Sequence, residues 1–122
     1  MAAAFPRNRH LRAIVVAAPA LGFAFDRARL RQVTLPVQLW QADDDSILPP
    51  AYYAQRVRAA LPHAPDFHPV PHAGHFDFLA PCSPLLAHAV PAICTSAPGF
   101  DRAAFHQRMN ADLVRFFQAT LG

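Results

Sequence analysis

The segment Pro36-Val37-Gln38-Leu39-Trp40-Gln41 runs into Ala42-Asp43-Asp44-Asp45-Ser46-Ile47-Leu48-Pro49-Pro50. Its first part is a short run of β-formers and predicts a strand over 36–41. Its second part is an acidic turn closed by two prolines, which cannot extend a ladder but can open a helix. A helix is predicted from about 51 to 61, with Tyr53, Val57, Ala60 and Leu61 on one face and Gln55, Arg56 and Arg58 elsewhere. The next run, Asp66-Phe67-His68-Pro69-Val70, predicts another strand. Strand, polar turn, amphipathic helix and strand in that order make a βαβ unit, whose two strands lie parallel.

Upstream, Ala13-Ile14-Val15-Val16-Ala17-Ala18 is short, β-branched at its centre and stopped by Pro19, as a buried parallel strand would be. Arg7, Arg9, His10 and Arg12 precede it, so a basic leader followed by an apolar signal segment is the competing reading. A short helical piece over 26–33 follows, with Asp26 as its N-cap. Downstream, residues 80–99 are punctuated by prolines around a short helix at 84–90. At the end, Asp101 caps a helix and Phe100 can staple onto Phe105. Phe105, Met109, Leu113, Phe116, Phe117 and Leu121 then recur at helical spacing, the pattern of a core-facing stripe. The alternation β-α-β-α-β predicts an α/β fold, with three parallel strands and helices on the sheet faces. Three strands are few for this class, which suggests one segment of a larger sheet.

Composition narrows the function classes. Hydrophobic residues are 53% and charged residues 16% of 122, so a packed core is expected and disorder is not. All eleven basic residues among Lys and Arg are Arg, and all eight acidic residues are Asp. Such one-sided usage points to nucleotide bias, so the net charge of +3 is no argument for nucleic acid, and no basic run of five occurs. No apolar stretch reaches the ~20 residues of a membrane span. Cys82 and Cys94 permit one bridge, worth on the order of 2–3 kcal/mol if formed. Two reduced, buried thiols are the alternative, and the residues leave the compartment open.

In an open parallel sheet the loops at the carboxyl ends of the strands carry function. Two such loops hold capable side chains. Asp43-Asp44-Asp45 follows the second strand, and His72-Ala73-Gly74-His75-Phe76 follows the third. Neighbouring strands lie about 4.8 Å apart, so an acid and an imidazole from these loops can meet. A carboxylate on imidazole Nδ1–H leaves Nε2 to take a proton from a nucleophile. The turn Asp45-Ser46-Ile47-Leu48-Pro49 resembles the acid-bearing turn of the α/β-hydrolase family, and Gly74-His75-Phe76 resembles its late Gly-His-Phe turn. The tail, from Ala80-Pro81-Cys82-Ser83-Pro84 to the last helix, is similar to bacterial dienelactone-hydrolase-like members. The resemblance spans nearly the whole chain, residues 1–122, but only the C-terminal half of the family's fold. It implies a serine or cysteine hydrolase of small esters or lactones, without cofactor or metal, with Asp45 as the orienting acid and His75 as the base. Asp44 stands in reserve for the acid, and Asp43 reads as solvated. Ile47 and Phe76 are the candidate wall of the substrate pocket. Phe23, Phe25, Leu48 and Tyr52 read as ordinary core.

The family's nucleophile sits on a Gly-x-Ser-x-Gly elbow upstream of the acid. Gly22, Gly74, Gly99 and Gly122 flank no Ser or Cys in that way, and Cys82 lies after the histidine. The chain is therefore expected to be inactive alone and to expose an apolar strand edge at Ile14-Val15-Val16 that invites self-association. A zinc site from His68, His72 and His75 lacks the spacing and a nearby Cys. His10, His63, His88 and His106 have no local partners and read as surface or half-buried residues. A noncatalytic binding module and a small exported protein with one disulfide are the alternatives.

Overall fold

The computed structural model describes residues 8–122, which leaves Arg7 of the basic leader outside the described residues. Strands β1 (Ile14–Ala17), β2 (Val37–Ala42) and β3 (Asp66–Val70) alternate with helices α1 (Arg27–Leu30) and α2 (Ala54–Ala60). Three helices follow: α3 (Pro84–Ala89), α4 (Pro91–Cys94) and α5 (Arg102–Leu121). The strands form one parallel sheet in the order β1-β2-β3, with Ile14 paired to Val37 and Gln38 paired to Asp66. The chain is of the α/β class. Pro36 has no N–H for the ladder, so β2 starts at Val37, although the Pro36 carbonyl still accepts from the Ile14 N–H at 3.0 Å.

Alternation along β2 sends its residues to two covered faces, and all six are buried. Trp40 and Ala42 pack with Val70, Ala73, Phe105 and Met109, so α5 covers this face. On the other face Ile14, Val16, Val37, Val57 and Leu61 line a partly open apolar cavity of about 190 Å³ with Phe25, Leu30 and Val33 from the α1 region. Gly22 lets that connection approach α2, because a Cβ there would lie 2.0 Å from the Tyr52 carbonyl oxygen. Burial of Gln38 in the central strand is matched by pairing. Trp40 Nε1 donates to Gln38 Oε1, and Gln38 Nε2 donates to Asp66 Oδ2, each at 2.8 Å. His68, two residues beyond Asp66 and so on the same face, stacks on Trp40 with ring centroids 4.3 Å apart.

The terminal helix follows its predicted start. Asp101 accepts from the Ala104 N–H at 2.9 Å, and the Phe100 and Phe105 rings lie 5.6 Å apart. Its apolar stripe is shorter than predicted. Phe105, Met109 and Phe116 are buried, but Phe117 and Leu121 are 36% and 43% exposed. The 20-residue helix outruns strands of four to six residues, so its last turn has no sheet beneath it. The helix predicted at 84–90 is α3, and a second short helix, α4, follows it. Pro91 disfavours helical backbone at Val90 (φ −136°, ψ 64°), so α3 ends at Ala89 and α4 starts afresh.

Candidate active site

The carboxyl ends of β2 and β3 are adjacent because Ala42 pairs with Val70. Backbone bonds then tie the two loops together: Asp43 N–H donates to the Val70 carbonyl and Asp44 N–H to the Ala73 carbonyl, at 3.1 and 3.0 Å. This registers the acidic turn against the histidine turn. Asp45 is the member of its triplet that points inward, its side chain 2% exposed. Its Oδ1 accepts the N–H groups of Ile47 and Leu48 at 3.0 and 2.7 Å, which fixes the carboxylate plane. Its Oδ2 lies 2.8 Å from Nδ1 of His75. An ionised carboxylate only accepts, so opposite it a neutral imidazole would donate from Nδ1 and leave the Nε2 lone pair free. Asp44 is exposed and 3.7 Å from His72, which is more exposed still, and Asp43 accepts from Gln41 Nε2 at 2.8 Å. Neither approaches His75 as Asp45 does.

His75 opens a short 3₁₀ turn, His75–Phe78, and its side chain is 24% exposed. It forms a wall shared by two clefts. One, of about 240 Å³, is lined by Ile47, Phe76, Ser46 and Thr95 among others. The other, of about 260 Å³, lies at the end of β1 against Ala17 and Ala18. Phe76 borders both and meets the His75 ring edge-on at 5.3 Å. Ile47 and Phe76 are therefore both at the candidate site. Phe23 and Tyr52 are 75% and 63% exposed rather than core, because the 3₁₀ turns that carry them lie at the rim of the α1–α2 layer. Phe25 lines the cavity beneath the sheet.

Cys82 and Cys94 are joined by a disulfide that spans α3 and α4. Ala92 and Thr95, on either side of Cys94, line the cleft that holds Ile47 and Ser46. With both sulfurs bonded, neither cysteine offers a thiol to His75. Ser96 donates its hydroxyl to Asp77, and among the described residues no hydroxyl or thiol bonds Nε2 of His75. His68, His72 and His75 do not converge, and among the described residues no group of three His, Cys, Asp or Glu side chains is placed to hold a metal ion. No helix among them is long and apolar enough to cross a membrane.

One feature of the site is absent from the sequence reading. Asp77 and Arg102 form a buried pair at 3.0 Å behind the His75 turn. The signal was present in two places: an acid inside the apolar run Phe76-Asp77-Phe78, and an Arg three positions before Phe105 on the buried stripe. His106 is half-buried, within the expected range, and gains a partner distant in sequence. Its Nε2 bonds the Asp77 carbonyl oxygen at 2.8 Å, because it follows Phe105 on the side of α5 that meets this turn.

Comparison with models of known protein families, with curated proteins and with solved structures finds no match. The functional reading stands on the geometry and on the residues themselves.

Proposed function

We propose that the chain carries the acid and base of a hydrolase of the α/β-hydrolase type, acting on small esters or lactones. The observation that carries this reading is the 2.8 Å contact between the buried Asp45 carboxylate and His75 Nδ1, at the carboxyl rim of adjacent parallel strands. In this reading Nε2 removes the proton of a serine hydroxyl or cysteine thiol as that group attacks the ester carbonyl. The imidazolium is stabilised by Asp45 and returns the proton to the departing alkoxide. Water then repeats the cycle on the acyl-enzyme. Acyl transfer of this kind requires no redox cofactor. Ile47 and Phe76 would contact the apolar part of the substrate.

In this reading a nucleophile-bearing strand would pair with the outer edge of β1, over the cleft formed by Ala17, Ala18, His75 and Phe76. The reading predicts no appreciable esterase activity for this chain alone. The test is to extend the reading frame upstream of Met1, express the product and assay a chromogenic small ester. A product with a Gly-x-Ser-x-Gly or Gly-x-Cys-x-Gly elbow, active and reduced by roughly 10⁴-fold or more on His75→Ala, is expected. A frame without an elbow, or activity indifferent to His75, overturns the reading. A noncatalytic binding module is the second reading, favoured by the lack of a hydroxyl or thiol on His75 Nε2 among the described residues. Ligand binding unchanged by Asp45→Asn and His75→Ala would select it.

A further inference from the structure

Behind the His75 turn lies a buried polar cluster that proton transfer itself does not use. The side chains of Asp77 and Arg102 are 3% and 6% exposed. Asp77 Oδ1 accepts from Arg102 Nε at 3.0 Å and from the Ser96 hydroxyl. Asp77 Oδ2 accepts the Gly74 N–H at 2.7 Å, on the residue immediately before His75. Arg102 Nη1 donates to the Ile93 carbonyl at 3.0 Å, and its Nη2 is buried with no partner. On the far side of the turn, the Asp77 carbonyl oxygen receives the bond from His106.

Stability is a poor account of this cluster. A buried ion pair is often no better than apolar side chains of the same volume, and an unmade buried donor is a further cost. What the cluster does is geometric. It grips the backbone at Gly74 and at Asp77, with His75 between them. Its outer supports, Ile93 and Ser96, flank Cys94, which the disulfide anchors. A four-residue 3₁₀ turn has few bonds of its own to resist rotation of the His75 backbone.

We infer that Asp77 and Arg102 are positioning residues for His75, clamping its turn so that the imidazole stays within bonding reach of Asp45. This inference rests on the acid–base reading of Asp45 and His75. Its readout is the far-downfield proton signal of an imidazole Nδ1–H bonded to a carboxylate, measured by NMR on the full chain labelled at histidine and assigned by its loss in Asp45→Asn. The single variant Asp77→Asn leaves Arg102 buried without its counter-charge and can fail to fold. The double variant Asp77→Leu with Arg102→Met removes both charges and keeps the volume. The expected result is a folded double variant whose signal is lost or exchange-broadened. In Phe116→Leu, which weakens the core away from the turn, the signal persists. A folded double variant with the wild-type signal overturns the positioning role and leaves the Asp45–His75 pair standing. Absence of the signal from the wild-type chain overturns both.

Discussion

Reduction of the Cys82–Cys94 bridge is the perturbation whose effect the structure sizes most closely. The two cysteines are 12 positions apart, and chain-entropy arithmetic for a loop of that length gives about 3 kcal/mol. Little else holds the enclosed segment. Helices α3 and α4 bury no residue, and Leu85 is 80% exposed. The segment's side-chain ties are the Ser83 cap on the Leu86 N–H at 3.3 Å, the Thr95 hydroxyl on the Pro91 carbonyl, and bonds from Arg102 to Ile93 and Ser96 and from Ser96 to Asp77. Segments with few buried apolar contacts open locally. Loss of the bridge is therefore predicted to act first on residues 82–96, raising their amide exchange by about 100-fold, the equivalent of ~3 kcal/mol. If the whole ~3 kcal/mol is lost from global stability, the melting temperature should fall by roughly 12 °C, and by less if the loss stays local to this segment. Hydrogen exchange read by mass spectrometry, with and without reductant, and with a Cys82→Ala plus Cys94→Ala variant, measures both. Unchanged exchange over 82–96 in the reduced protein would refute the reasoning.

Three further outcomes follow from burial, pairing and edge exposure. Leu39 is fully buried in the central strand, and Leu39→Ala should cost about 2–5 kcal/mol in urea unfolding. Burial pushes the Asp66 carboxyl up, but the Gln38 amide and His68 outweigh it and hold the group below its ordinary value. Its contribution is therefore present above an unfolded-state pKa of about 3.9 and is lost as pH falls through the depressed folded value. Asp66→Asn should flatten the acid limb of the stability curve, modestly because the side chain is 50% exposed. The outer edge of β1 has no strand partner among the described residues, so sedimentation should show concentration-dependent association that Val15→Lys reduces.

Much of the architecture was legible in the sequence because the local signals agree with the packing. The third strand falls where its composition puts it, and Asp26 caps α1, accepting from the Arg29 N–H at 2.8 Å. Proline chemistry marks the edges of β2 and α4. That an acid of the triplet would meet the histidine turn was legible from strand order and loop position, while the choice of Asp45 came from the resemblance of its turn to the hydrolase one. What escaped depends on side chains that become neighbours only after packing. Gln38 reads as polar in an apolar strand until register brings Asp66 beside it. Arg102 reads as an ordinary first-turn residue until α5 docks it onto Asp77, 25 positions earlier. Between a bridge and two free thiols the spacing of Cys82 and Cys94 could not choose, because the division of the segment at Val90 brings their Cα atoms to 5.7 Å.

The contact between Asp45 and His75 is most directly tested by the tautomer of neutral His75, read from its imidazole nitrogen shifts and couplings. The account predicts the proton on Nδ1 in the wild-type chain and a shift of tautomer in Asp45→Asn, whose amide can donate to that nitrogen. A wild-type His75 protonated on Nε2, unchanged in Asp45→Asn, would contradict it.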